Sequence, residues 1–182
     1  MTRVIAGKLG GRKLLVPDSA RPTTEMVREA MFSTLNGWAA ISSKKVLDLY
    51  SGSGGLGFEA LSRGAASVVF VEADAKAVEI IKKNAENLAV EIEVQKQKAK
   101  TFSMQNTKNY KFDLVFLDPP YRVPNQELLE VIQNLISQGF LNEGAILVLE
   151  RPTRDAFSWP NLVKDLKNKR YGDNTLYYGS VA

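Results

Sequence analysis

The 182-residue chain has no cysteine and no histidine. Without thiols there is no disulfide framework and no thiolate zinc site. Without imidazole, the side chain best suited to acid–base and metal chemistry near neutral pH is missing. No metal site is expected, and any chemistry must run on carboxylates, backbone groups, aromatic rings and a bound cofactor. No apolar run approaches the ~20 residues needed to span a bilayer. The opening Met-Thr-Arg-Val-Ile-Ala-Gly lacks the apolar core of a signal peptide. These absences predict a protein of the reducing cytoplasm with no membrane contact. Internal repeats, low-complexity tracts and domain-scale linkers are also missing, so with 45% hydrophobic residues the stretch 1–182 reads as one well-cored domain.

What is present begins with charge. Arg3, Lys8, Arg12, Lys13, Arg21 and Arg28 face only Asp18 and Glu25 within the first 28 residues, and the rest of the chain is balanced. The whole net charge of +4 therefore sits at the N-terminus, an electrostatic footprint suited to a phosphate-rich partner. Arg3 to Ala6 and Arg12 to Val16 read as the two strands of a basic β-hairpin, turned by Gly7, Gly10 and Gly11. Thr24 is the expected N-cap of a helix from Glu25 to Leu35, with Val27, Ala30 and Met31 on its inner face. Arg21 and Arg28 flank that entry as candidate phosphate contacts.

The stretch Phe112-Asp-Leu-Val-Phe-Leu-Asp-Pro-Pro-Tyr121 organises the remainder. Its apolar run predicts a strand buried on both faces of a parallel sheet. Pro119 and Pro120 end that strand and hold the backbone extended, which presents Asp118 and Tyr121 at its carboxyl end, where open α/β sheets bind ligands. A rigid acceptor beside an aromatic plate suits a planar group bearing an amino function: the ring stacks, while the Asp118 carboxylate and Pro119 carbonyl accept N–H bonds.

Lys45 to Leu49 reads as the first sheet strand, followed by Tyr50-Ser-Gly-Ser-Gly-Gly-Leu-Gly57 and a helix. Gly52, Gly54 and Gly57 have the G-x-G-x-x-G spacing in its strand-to-helix context, where glycine permits close approach of backbone to ligand. The second strand ends at Glu72, placed to accept ribose hydroxyls. A dinucleotide and an adenosyl cofactor are served almost equally by these two features. Further on, Asp74 is expected to cap a helix, Ile92 and Val94 mark a third strand, and residues 103–111 read as loop. Asn125 is expected to cap a helix reaching Gln138, and a strand at Ala145 to Leu149 precedes a final hairpin.

With Asp48 to Gly57, Glu72 and Asp118 to Tyr121 at three successive strand ends, the chain resembles class I AdoMet-dependent methyltransferases carrying a D/N-P-P-Y/F amino-methylating motif. More narrowly, Arg3 to Gly7, Gly11 to Leu14, Arg21 to Thr24 with Val27 to Glu29, and Phe58 to Ala65 resemble the RsmD family of bacterial 16S rRNA guanine-N2 methyltransferases. The likeness runs in order from residue 3 to about 150. It implies a Rossmann-like α/β fold with a mostly parallel seven-stranded sheet, an antiparallel C-terminal strand, and residues 1–35 as an RNA-binding hairpin and helix. S-adenosyl-L-methionine is the implied cofactor, held by Asp48, Ser51, Gly52, Ser53, Gly54, Gly57, Glu72 and Asp118. The implied catalytic residues are Asp118, Pro119, Pro120 and Tyr121; the RNA-binding set is Arg3, Lys8, Arg12, Lys13, Arg21, Thr24 and Arg28. The implied partner is 16S rRNA within a small-subunit assembly particle, met by a monomer. One departure is Lys98, where such enzymes commonly carry Asp or Asn near the adenine, so only the neighbourhood of Ala99 and Lys100 is carried over as an adenine wall, with no side-chain hydrogen bond assigned.

Three rivals remain at this level. A Rossmann oxidoreductase shares the glycine loop and Glu72 but leaves Asp-Pro-Pro-Tyr unexplained. A DNA adenine-N6 methyltransferase shares the tetrapeptide. A non-catalytic RNA-binding module has no use for an amino-group acceptor at a strand tip.

Overall fold

The stretch at 46–49, apolar but for Asp48, and the apolar runs at 68–71 and 114–117 form the middle of a seven-stranded sheet in the computed structural model, which describes residues 2–18, 23–106 and 109–182. The elements in order are β1 (Thr2–Arg3), β2 (Lys13–Leu14), α1 (Glu25–Gly37), β3 (Lys45–Leu49), α2 (Gly55–Ser62), β4 (Ser67–Glu72), α3 (Ala75–Leu88), β5 (Glu93–Lys96), α4 (Ala99–Ser103), β6 (Phe112–Leu117), α5 (Asn125–Ser137), β7 (Leu141–Pro152), β8 (Val163–Tyr171) and β9 (Asn174–Val181). The sheet order is β5-β4-β3-β6-β7-β9-β8, and β9 alone runs against the others. This is the α/β, Rossmann-like architecture the motifs imply, with β8 rather than β9 at the edge.

Both faces of the sheet are covered at its centre, which is why β4 and β6 are apolar nearly throughout instead of alternating, while the edge strands β5 and β8 are polar. Along β6, Leu114 and Phe116 enter a core shared with Phe32, Phe58, Phe70 and Tyr178. Val115 and Leu117 enter the opposite core with Leu128, Ile132, Phe140 and Tyr177. The chain leaves β3 toward β4 on one side and returns to β6 on the other. The topology therefore reverses between β3 and β6, opening a crevice beyond their carboxyl ends. No helix among the described residues is long and apolar enough to cross a membrane.

The N-terminal hairpin is smaller than its sequence suggests, with two residues per strand. The reason lies in competing partners. The amides of Ile5 and Ala6 donate to the buried Glu59 carboxylate at 2.7 and 3.1 Å, and Leu9 N donates to Ser62 Oγ at 2.9 Å. Asn84 pairs with Leu15 through both its backbone groups, and Val4 and Leu14 are fully buried. The segment is thus fastened to α2 and α3 rather than standing free. Thr24 caps α1, accepting from Val27 N. Ala30 is only half-buried and Arg28 takes the inward position instead. Asn125 does not cap α5: Pro124 holds the cap position, and Asn125 Nδ2 donates to Ala156 O. The loop expected after residue 103 is preceded by α4, whose five residues are too few to show a helical period.

Candidate functional site

The strand ends converge on one cavity of about 1040 Å³ lined from every part of the chain: Thr23 and Arg28, Tyr50 to Ser53, Glu72, Ala99, Asp118 to Tyr121, Glu150 and Asn174. A typical small-molecule site is roughly 300–1,000 Å³, so this one has room for two ligands side by side.

At the β3 end, Tyr50 adopts φ +59, a left-handed conformation that costs a non-glycine residue about 1 kcal/mol or more. The turn is then tied down: Ser51 Oγ donates to Asp48 O at 2.6 Å and Val71 O at 3.1 Å. Gly52, at φ +56, has nothing within 4 Å of the place a Cβ would occupy, so its backbone faces open space. Gly54 and Gly57 serve differently from the ligand approach expected of them, and neither lines the cavity. A Cβ on Gly54 would sit 2.6 Å from the Phe58 ring, and one on Gly57 2.2 Å from Phe70. These two glycines let α2 lie close on the sheet. Asp48 is a strut of the same junction, buried, with its Oδ2 accepting from Gly57 N at 2.9 Å. Burial pushes its carboxyl well above the usual range, against the Gly57 amide that lowers it.

Glu72 stands at the tip of β4 with each carboxylate oxygen held once, Oε2 by Gly52 N and Oε1 by Asp74 N, both at 2.8 Å. Each oxygen keeps a second acceptor direction, the arrangement a vicinal diol needs. Ala99 is buried at the start of α4 and closes the far wall, with the exposed Lys98 lining the cavity beside it. A cradle whose backbone is open at Gly52, a pinned diol acceptor and an apolar wall fit an adenosyl group.

At the β6 end, Pro119 is buried, Pro120 exposed, and Tyr121 half-exposed over the cavity mouth. A residue without a sequence motif completes this end. Glu150, 7% exposed on β7, and Asp118 both lie 3.2 Å from the single hydroxyl of Thr23. Asn174 Nδ2 donates to Glu150 Oε1 at 2.9 Å, and Tyr121 Oη donates to Asn174 Oδ1 at 3.1 Å. A chain of contacts thus runs Asp118, Thr23, Glu150, Asn174, Tyr121. Burial pushes the Asp118 carboxyl up to about 6, against the Thr23 hydrogen bond. Burial and then the Asp118 charge push Glu150 up to about 8, against the bonds from Thr23 and Asn174. One hydroxyl proton cannot serve two carboxylates. With a proton on Glu150, its carboxyl donates to Thr23 Oγ1, whose own proton goes to Asp118. The pair then carries one negative charge, on the residue at the strand tip. Glu150 had no sequence signal beyond its place after an apolar strand, because its partners come from residues 23 and 174.

The basic residues divide. Arg3, Lys8, Arg12 and Lys13 are exposed, Arg3 pairing with Glu25 at 3.0 Å and Arg12 donating to Asn87 O. Arg21 lies outside the described residues, and Thr24 serves as the α1 cap. Arg28 is not a surface contact: it is 2% exposed, and its Nη2 donates to Thr2 Oγ1 and Arg3 O at 2.9 and 3.0 Å.

Comparison with known proteins shows the family. The model of the family described as Conserved hypothetical protein 95 matches residues 2–180. The ribosomal RNA small subunit methyltransferase D of Haemophilus influenzae is 37% identical over 175 residues, 93% of this chain and 89% of the relative. Its namesake from Escherichia coli K12 is 41% identical over 154 residues, 81% and 73% of the two chains. The solved structure of Escherichia coli yhhF superposes with a TM-score of 0.88 at 32% identity, covering 98% of this chain and 97% of that one. With a family model spanning nearly its whole length and relatives this similar, the chain belongs to the Conserved hypothetical protein 95 family, the RsmD family.

Proposed function

We propose that this protein is an rRNA methyltransferase that transfers a methyl group from S-adenosyl-L-methionine to the exocyclic N2 amino group of a guanine in small-subunit rRNA. The names its relatives carry support the coarser part, methylation of small-subunit rRNA. The observation that carries the finer part is the pair of carboxylates, Asp118 and Glu150, each 3.2 Å from the Thr23 hydroxyl at the crevice. A guanine edge offers adjacent N1–H and N2–H donors to such an acceptor-rich wall. An adenine edge sets an acceptor, N1, beside its amino group and meets a carboxylate unfavourably.

Glu72 would hold the cofactor's ribose, Gly52 its close approach and Ala99 its adenine face. When bound, it would supply an electrophilic methyl group on a sulfonium, leaving as the neutral thioether once the methyl has passed to the amino nitrogen. The lone pair of that nitrogen is delocalised into the ring in the ground state. Asp118 and the Pro119 carbonyl, accepting the two N–H bonds, favour the tetrahedral nitrogen in which the pair is free. The acceleration is then positioning plus contacts that tighten at the transition state. After attack the nitrogen is cationic, and its proton leaves to Asp118 or solvent without any histidine.

Digestion of small-subunit rRNA methylated in vitro, followed by mass spectrometry of the nucleosides, tests this. N2-methylguanosine is expected. Methyl on adenine N6 would transfer the reading to the rival chemistry that shares Asp-Pro-Pro-Tyr.

A further inference from the structure

Arg28 is a buried cation whose Nε and Nη1 have no hydrogen-bond partner among the described residues. Its Nη2 explains why the side chain is inward, since it ties down Thr2 and Arg3. The other two nitrogens are not explained that way. No carboxylate among the described residues forms an ion pair with it. Burial draws its pKa below the usual arginine value, with the more distant Glu59 and Glu25 opposing. An uncompensated buried charge is costly and calls for a counter-charge.

The cavity lies where that counter-charge would sit. Arg28 lines it, and Nη1 is 3.9 Å from the place a Cβ on Gly55 would take, at the first residue of the eight-residue helix α2. The amides at this helix start are unequally employed. Gly57 N donates to Asp48 and Phe58 N to Gly54 O, while Gly55 N and Leu56 N have no partner among the described residues. Free amides at a helix N-terminus favour an anion, and the unpartnered guanidinium beside them is an independent sign of the same charge.

We propose that Arg28 and the α2 amides bind the α-carboxylate at the amino-acid end of the cofactor, an inference that rests on the S-adenosyl-L-methionine reading above. The order along the loop agrees. Gly52 bonds Glu72 at the ribose end, and three residues later Gly55 meets Arg28, so the ligand's two polar ends fall to the two ends of one loop. A carboxylate fits better than an RNA phosphate because the guanidinium is buried behind the glycine loop, while Arg3, Lys8, Arg12 and Lys13 stay in solvent.

Titration calorimetry of the full chain with S-adenosyl-L-methionine and with its decarboxylated analogue, which keeps the adenosyl and sulfonium groups, reads the interaction directly. The wild type is expected to prefer the carboxylate form by roughly 10-fold or more, the scale of a charge-assisted hydrogen bond. Arg28→Met should erase that preference while leaving affinity for the analogue within about 2-fold, and Arg28→Lys should restore part of it. Equal binding of both ligands by the wild type overturns the proposal without any variant. So does an Arg28→Met protein that still discriminates, or one whose only loss is RNA affinity, which would assign the guanidinium to a backbone phosphate. A wild type that binds neither ligand overturns the cofactor reading itself, a distinguishable failure.

Discussion

Asp118 and Glu150 sit within reach of one hydroxyl and cannot both be comfortable as anions, and this conflict is measurable. Each has its native pKa raised, chiefly by burial, to about 6 and about 8. A carboxyl raised in the fold gives stability that is complete below its unfolded pKa and is lost as pH rises through the folded value. Stability is therefore expected to fall between about pH 4 and about pH 8, and to fall less in Glu150→Gln, which cannot ionise. Urea unfolding of both proteins across that range checks the sign; parallel curves would mean that Glu150 titrates in the fold as it does in the unfolded chain. For catalysis, Asp118→Ala removes a charged acceptor worth roughly 1.5–3 kcal/mol and should slow single-turnover methyl transfer at least ~10-fold, with cofactor affinity unchanged. Tyr121→Phe keeps the stacking face and loses only the bond to Asn174. It should retain most activity, whereas Tyr121→Ala, losing base stacking of roughly 1–3 kcal/mol, should not.

Helix α2 joins the N-terminal segment to the sheet, and two kinds of residue on it do so. Glu59, fully buried, accepts from Ile5 N, Ala6 N and Arg63 Nε at 2.7 to 3.1 Å. Glu59→Ala leaves two amides without their acceptor and Arg63 with Glu29 as its remaining carboxylate, so a loss on the order of 3 kcal/mol is expected in chemical denaturation. Gly57→Val should also cost folding stability rather than act as a selective cofactor-binding lesion, since its added atoms meet Phe70 and Val68. These cases mark what the sequence could convey. Strand β6 and the cap at Thr24 were legible because an unbroken apolar run and a threonine three residues before Val27 signal their state locally. The glycine spacing marked the right loop, but not which glycine faces ligand, because that depends on where Phe58 and Phe70 pack. Arg28 read as a phosphate contact because one arginine on a helix carries no sign of the Thr2 and Arg3 groups that draw it inward. Glu150 was illegible for the same reason, its partners lying 127 and 24 residues away.

Across the whole molecule the charge excess remains on the surface around β1 and β2, where Arg3, Lys8, Arg12 and Lys13 are all exposed. Replacing the four with glutamine should leave cofactor binding intact and weaken RNA binding, with a salt slope shallower by roughly one for each phosphate no longer neutralised. A filter-binding titration decides it; an unchanged slope would make these residues solvated decoration.

The placement of β9 between β7 and β8 has a consequence for biosynthesis. A ribosome delivers β8 before the strand that must separate it from β7, so the sheet cannot be completed in the order in which it is made. Until residues 174–181 emerge, the β7 edge from Ile146 to Pro152 is open and Asn174 is not there to hold Glu150 and Tyr121. An open edge invites pairing with other chains. A chain stalled after Gly172 is therefore expected to be both catalytically silent and prone to self-association, so that closure of the sheet and assembly of the base-binding end occur as a single late event.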